Sequence, residues 1–350
     1  MSNSAKDTAD KVRVVVVGGG TGSYTALRGL KRYHQEIDLT AVVTMADSGG
    51  STGRLRDEFG QLPVGDVRMA LSALSADIDH HGELVRELFL YRFAKGTGLS
   101  GHNFGNLLLT ALTDMLGSEV EAIEAAAQIL RVRGRVLPVT ADHTHLVATY
   151  DDSVEIAGEA AIDAPASERW PHQITSVRLE PRAYLHPAAK AAIAKADVIL
   201  FGPGDLYTSI LATVAATGFA EAVQVSRART YFVCNLMTKA GQTTGMKASD
   251  HVRALRDAIG CSVDTVVLNT TDLPTELLAR YEKELEYPVL DDLSADSVIR
   301  ADLLATERVQ SQRGDIVRRS LIRHDPFKLA HELVRCITSD RKNEDSKSCV

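Results

Sequence analysis

The chain has 350 residues, 45% of them hydrophobic and 24% charged. That balance excludes a disordered protein, which buries too little apolar surface to offset its ordering entropy. Lys and Arg number 39 against 46 Asp and Glu, a net charge of −7, which excludes general nucleic-acid binding, since that needs a cationic surface. No apolar run reaches the ~20 residues of a membrane span, and residues 1–11 lack the apolar core of a secretory signal. The four cysteines are far apart, without C-x-x-C spacing, as free thiols in a reducing compartment are. The expected location is cytoplasmic, without membrane insertion.

Val12–Val17 is a β-branched run that predicts a buried strand; Gly18–Gly22 turns the chain, and Leu27 and Leu30 mark one face of a helix. A second strand is predicted over 39–45, ending near Asp47, followed by a Gly-rich loop over 48–53. Helices are predicted over 66–76, 82–93, 104–116 and 119–131. Short alternating runs at 135–140, 145–150, 153–156 and 174–179 predict a small antiparallel meander. The α/β rhythm resumes with a helix over 187–196, a strand over 197–201, the loop Gly202-Pro203-Gly204, and strands over 230–234 and 264–268. Asp325 is a good N-cap with Pro326 at the first helical position. Phe327, Ala330, Val334 and Ile337 then recur at helical spacing. The expected organisation is one α/β domain over 12–338 with a β-rich insertion at about 135–180, between disordered tails at 1–11 and 339–350. Alternating strands and helices imply a mostly parallel sheet with helices on both faces. The acidic stretch 271–296 is a lid, a dimer arm or a solvated surface; its composition does not decide.

Ligands of such sheets sit at the carboxyl ends of the strands, where chain order reverses. The richest loops follow strands at that end. Gly19, Gly20, Thr21 and Gly22 offer close backbone approach and a helix N-terminus to a phosphate, or form a plain tight turn. Ser23 stands where a dinucleotide fingerprint has its third glycine. Asp47 suits a ribose hydroxyl, a substrate hydroxyl or a metal, or caps its own loop. Gly49–Gly53 matches G-x-S-x-G, but loop residues separate it from the strand, against a nucleophile elbow; the hydroxyls of Ser48, Ser51 and Thr52 suit binding. Arg54 and Arg56 face an anion or solvent. Gly202, Pro203, Gly204, Asp205, Tyr207 and Ser209 form a second glycine turn about 180 residues after the first, and two such turns suggest two sides of one cleft. Asn235 and Thr238 leave the next strand with polar groups suited to a base or sugar edge. His102, in a Gly-flanked loop with Asn103 and Asn106, is the best-placed histidine for ligand contact. His80 and His81 read as solvated, and His143 and His145 lack the partners of a metal site; no metal site is assigned. Arg323 precedes the last helix, placed to pair with a phosphate.

The stretches GGGTG at 18–22, SGGSTGRLR at 48–56, LPVGDVR at 62–68, GLSGHNFGNLLLTALT at 98–113, GRVLPVT at 134–140, FGPGDLYTSI at 201–210, CNLMTKAGQTTGM at 234–246, SDHV at 249–252 and RHD at 323–325 resemble, in this order, the bacterial gluconeogenesis-factor family. That family is related to the archaeal-type 2-phospho-L-lactate transferases. The resemblance spans about 12–337. It implies a modified Rossmann-like fold and a nucleotide-type ligand, with UDP-sugars such as UDP-N-acetylglucosamine leading in the bacterial branch. That branch is regulatory, needed for growth and cell shape on gluconeogenic carbon sources. The transferase branch joins a phospholactyl-type group to a deazaflavin precursor, using a nucleotide-activated donor and magnesium. Carried onto this chain, the resemblance marks Gly19–Gly22, Asp47, Asn103, Asn106, Gly202–Ser209, Asn235, Thr238 and Arg323 as binding residues. Family loops often read Asp-Asp-Gly-Gly where this chain has Asp47-Ser48, which weakens a two-carboxylate magnesium site. Some relatives carry Thr after RHD, where this chain has Pro326, so phosphorylation there is excluded.

Three readings result. The first is a non-catalytic UDP-sugar-binding regulator of carbon-source adaptation and envelope synthesis. The second is a magnesium-dependent transferase of phosphorus-containing groups. The third is an NAD-binding oxidoreductase, for which no hydride-transfer acid–base pair is evident. No cofactor is assigned; a UDP-sugar is the expected ligand, and magnesium belongs to the transferase reading only. A homodimer and protein partners in envelope synthesis remain open.

Overall fold

A computed structural model describes residues 11–76, 80–294, 297–306 and 321–348, with the side chains of 56, 80, 81 and 340–348 outside that description. Its strands are β1 (Val12–Gly18), β2 (Ile37–Val43), β3 (Arg135–Pro138), β4 (His145–Tyr150), β5 (Glu155–Ala157), β6 (Ile174–Glu180), β7 (Val198–Phe201), β8 (Arg229–Val233), β9 (Thr265–Asn269) and β10 (Val298–Ala301). Seven form one sheet in the order β10-β9-β8-β7-β1-β2-β3, with every neighbouring pair parallel. The other three form the antiparallel sheet β5-β4-β6.

Eight helices precede β7: α1 (Gly20–Leu30), α2 (Gly50–Phe59), α3 (Gly65–Leu74), α4 (His80–Leu90), α5 (Phe104–Leu116), α6 (Glu119–Ile129), α7 (Glu159–Asp163) and α8 (Pro187–Lys195). Helices Phe219–Val225, Ala248–Ile259, Thr275–Glu282 and Pro326–Ser348 follow. The last of these runs past residue 338. Asp325 Oδ1 accepts from the backbone N–H groups of Phe327 and Lys328 at 2.8 and 2.9 Å, the N-cap expected of it.

Side chains alternate across a strand, and β1 shows why its sequence is an unbroken valine run. Val12, Val14 and Val16 join the core made with α1, α3 and the last helix. Val15 and Val17 join the opposite core, made with α8, helices Phe219–Val225 and Ala248–Ile259, and the antiparallel insertion. A strand covered on both faces has no polar side to present.

The run at 135–140 is not part of the antiparallel meander. It forms β3, at the edge of the large sheet, where Thr40 to Val43 pair in parallel with Arg135 to Pro138. Alternation shows a strand but not which sheet recruits it, and the partner here is about 95 residues away. The loop expected over 48–53 turns helical at Gly50, and α4 ends at Leu90 because Arg92 then pairs with Asn103 in an antiparallel bridge. The stretch 271–294 holds helix Thr275–Glu282 and then a strap: Thr238 donates its N–H to the Tyr287 carbonyl at 2.7 Å, and Val289 to the Leu236 carbonyl at 3.1 Å. No helix among the described residues is long and apolar enough to cross a membrane.

The last helix crosses α1 at Gly29. A methyl group there would lie 2.8 Å from Ala330 Cβ and closer still to the Pro326 carbonyl oxygen. Gly29→Ala is therefore expected to destabilise the protein by about 1–3 kcal/mol by overpacking, despite the better helix propensity of alanine. Urea unfolding of both proteins measures it; unchanged stability would mean that the two helices separate freely.

Candidate functional site

Strand order reverses between β1 and β7, the place where α/β sheets open a crevice for ligands. Both glycine turns leave strands there, and they touch. A Cβ on Gly22 would come within 2.5 Å of Gly204 Cα and N. A Cβ on Gly20 would lie 3.6 Å from Ser209 Oγ, and one on Gly204 would lie 3.5 Å from the Gly19 carbonyl oxygen. Gly20 has φ +64° and Gly204 φ +154°, conformations that side chains disfavour. The two turns meet at the carboxyl ends of the paired strands β1 and β7.

Residues 206–211 form a π-type turn, with the N–H groups of Ser209 and Ile210 both reaching the Asp205 carbonyl at 3.1 and 3.0 Å. Pro203 follows a cis peptide bond. Tyr207 is buried, which pushes its phenol up to about 12. Asn235 donates from Nδ2 to the Gly204 carbonyl at 2.8 Å, tying the post-β8 loop to the second turn, while its Oδ1 is buried without a hydrogen-bond partner.

A residue not singled out from sequence sits against the first turn. Asp66, in the opening turn of α3, accepts the Gly20 N–H at 2.8 Å. A Cβ on Gly19 would collide with its carboxylate. Burial and the negative charge of Asp47 push its carboxyl up to about 7. Asp47 accepts from the Gly49 N–H at 2.8 Å, and its other oxygen lies where a Cβ on Gly65 would sit, beside Thr52 Oγ1. Asp47 and Thr52 thus close on Gly65, and Asp66 on Gly19, two positions that leave no space for a Cβ.

Ser48 is used differently from its expected role. Its hydroxyl accepts the Ala160 N–H at 3.0 Å, and Glu159 accepts a hydrogen bond from the Ser48 backbone. This exchange docks α7 of the insertion onto the Asp47 loop and brings Glu159 to the cleft. Burial, followed by Asp47, Asp163 and Asp66, raises the Glu159 carboxyl to about 9. Asp163, at the other end of α7, and Asp205 clasp the ammonium group of Lys239; the Asp205 bond is 2.7 Å. Desolvation opposes the Lys239 charge, but both carboxylates keep it protonated. Burial likewise raises the carboxyl of nearby Glu286.

The SGGSTG and GHNFGN loops meet in a hydroxyl–amide network. Ser51 Oγ lies 3.2 Å from His102 Nδ1, and Asn106 Nδ2 reaches Thr52 Oγ1 at 3.2 Å, leaving Asn106 Oδ1 buried and unpartnered. Burial, with the charges of Arg54 and Arg92, lowers the His102 pKa, so its imidazole is neutral near pH 7. Asn103 is spent locally: it caps α5 by accepting from Gly105 and Asn106, and donates to the Leu90 carbonyl at 2.9 Å. Thr238 anchors the strap, its hydroxyl accepting the Tyr287 N–H at 2.8 Å. Arg323 pairs by its backbone with the segment that follows β10, its carbonyl accepting from Ala305 at 2.9 Å. Arg54 donates to the Ser100 carbonyl, and the Arg56 side chain lies outside the described residues. Thr21 is exposed at the start of α1.

Asp47 and Thr52 at Gly65, with neighbouring Asp66, offer oxygen donors of the kind a hard divalent cation takes, and the charge of Asp47 helps to raise the Asp66 carboxyl. Away from the cleft, Asp151, Asp152 and His172 offer atoms within 4.8 Å of one another. The aspartates are exposed and His172 half-buried, and all are already engaged, Asp151 with His172 and Asp152 with Arg169, each at 2.7 Å.

Glu159 and Asp66 bind protons more tightly folded than unfolded. Their contribution to stability is therefore complete below about pH 4 and is lost as pH rises through about 7 for Asp66 and 9 for Glu159. Glu159→Gln is expected to flatten the fall in Tm between about pH 6 and pH 9, measured by scanning calorimetry. An unaltered slope would place Glu159 in solvent, away from the cleft.

The family described as 2-phospho-L-lactate transferase CofD matches residues 14–309. A gluconeogenesis factor of Bacillus subtilis is 38% identical over 93% of this chain and 98% of its own length. A Thermotoga maritima relative is 42% identical over 93% of this chain and 99% of its own. A crystal structure of a Bacillus halodurans protein superposes with a TM-score of 0.82 at 37% identity, covering 93% of this chain and 99% of that one. Sequence, fold and the paired glycine turns agree: the chain belongs to the gluconeogenesis-factor branch of the CofD family.

Proposed function

We propose that the cleft between the two glycine turns binds a UDP-sugar, with UDP-N-acetylglucosamine the leading candidate. In this reading the protein is a non-catalytic regulator that supports growth on gluconeogenic carbon sources and coordinates it with cell shape and envelope synthesis. The observation that carries the reading is the contact of Gly22 with Gly204 at the reversal of strand order. A diphosphate lying across it meets the α1 N-terminus from one side and the 204–209 backbone from the other. The relatives named gluconeogenesis factors support the physiological role.

The acidic residues of the cleft bear on this directly. Asp47, Asp66 and Glu159 repel a diphosphate unless they are protonated or hold a cation. The same carboxylate pair favours a second reading, a 2-phospho-L-lactate-transferase-like enzyme in which Asp47 and Asp66 hold magnesium and the metal neutralises developing phosphate charge.

A thermal-shift series with UDP-N-acetylglucosamine, UDP, NAD and GTP, each with and without magnesium, separates the readings. A ligand at 100 times its Kd adds about 2.7 kcal/mol of stability. The UDP-sugar is expected to stabilise the protein without being consumed, and Gly22→Ala to abolish that response by wedging the turns apart. Stabilisation by GTP with magnesium alone would replace the regulator with the transferase. No response to any nucleotide would remove the nucleotide site.

A further inference from the structure

At the opposite end of the large sheet, where β1, β2 and β3 begin, a cavity of about 270 Å³ is lined by Lys11, Lys31, His34, Asp38 and Arg133 over an apolar floor that includes Ile37 and Leu39. It lies the length of β1 from the glycine turns, about 20 Å for a seven-residue strand. Three basic side chains from three separate segments therefore face one small space, on a chain whose net charge is −7.

Two of these side chains, Lys11 and Arg133, hydrogen-bond neutral groups. Lys11 Nζ donates to the His34 carbonyl at 3.0 Å, and Lys31 Nζ to the Ser75 carbonyl at 2.7 Å. Arg133 Nη1 lies 3.2 Å from His34 Nδ1. Asp38 brings one negative charge to the lining, and its field also acts on Arg13. Lys11 and Lys31 flank the C-terminal end of α1, where cations suit the helix dipole. That accounts for Lys11, whose ammonium meets the His34 carbonyl just past α1, while Lys31 meets the Ser75 carbonyl at the end of α3. It does not account for Arg133, which arrives from the turn before β3 and brings a planar fork of donors.

We propose that this cavity is a second binding site, for a small phosphate-bearing anion. The phosphate oxygens would take charge-assisted hydrogen bonds from Lys11 and Arg133, and a short carbon skeleton would lie against Ile37 and Leu39. The volume admits a phosphorylated metabolite of a few carbons and is too small for a dinucleotide. The site is independent of the nucleotide cleft. Because α1 runs from the first glycine turn to Lys31, the two sites bracket one helix.

Isothermal titration of the full chain with glycerol 3-phosphate and with inorganic phosphate tests the proposal. Saturable binding is expected, weakened by about tenfold or more in Arg133→Gln and in Lys11→Gln, with the His34 imidazole resonances shifting on titration. Tighter binding of the ester assigns an organic phosphate; equal binding of both probes assigns free phosphate. Absence of saturation by either probe up to about 10 mM, or unchanged affinity in both variants while circular dichroism shows them folded, would reduce the basic residues to caps of the α1 terminus and overturn the site. The response to UDP-N-acetylglucosamine is read separately, so either site can fail alone.

Discussion

The contact between Gly22 and Gly204 is the constraint on which the cleft depends. Two chain segments about 180 residues apart meet with no space for a Cβ between them. Parallel pairing of β1 with β7 makes this meeting unavoidable, because both strands end at the same level and both turn immediately. Backbone atoms, not side chains, therefore meet there, and the Gly20 N–H is already given to Asp66. In the proposed reading a diphosphate lies across this meeting of backbones.

Charge pulls the other way. The proposed ligand is an anion, yet the walls carry Asp47, Asp66, Glu159, Asp163 and Asp205, with Lys239 set among the last two. Desolvation moves Asp66 and Glu159 far above the ordinary carboxyl range, so both hold protons that a solvated carboxyl would release. In the proposed reading, ligand binding is coupled to pH through residues that need not touch the ligand.

The antiparallel insertion belongs to this electrostatic arrangement. It shares a core with one face of the large sheet through Leu146, Ala148, Tyr150 and Ile162, and Ser48 fixes its α7 by accepting the Ala160 N–H. The Asp-to-Ser difference at position 48 thus has a local consequence. A neutral hydroxyl takes a helix-end N–H beside Asp47, where a second carboxylate would add to an already crowded negative field.

The sequence by itself determined the α/β class, the strand–turn–helix unit at 12–30, the second glycine turn at 202–209 and the Asp325 cap. Each is a local signal: a β-branched run, a glycine cluster, an N-cap before proline. The family motifs in order added the expectation of a nucleotide-type site. Only the tertiary structure decided the rest. Period-two alternation at 135–138 could not say that β3 pairs with β2 and not with β4, because recruitment depends on a partner outside the window. Asp66, Glu159 and Lys239 carried no distinguishing local pattern; they matter because separate loops converge on one poorly solvated space, and desolvation and mutual repulsion exist only once they do. Asn103 and Thr238 have the right chemistry for a ligand in sequence, yet the fold uses that chemistry to cap α5 and to hold the strap.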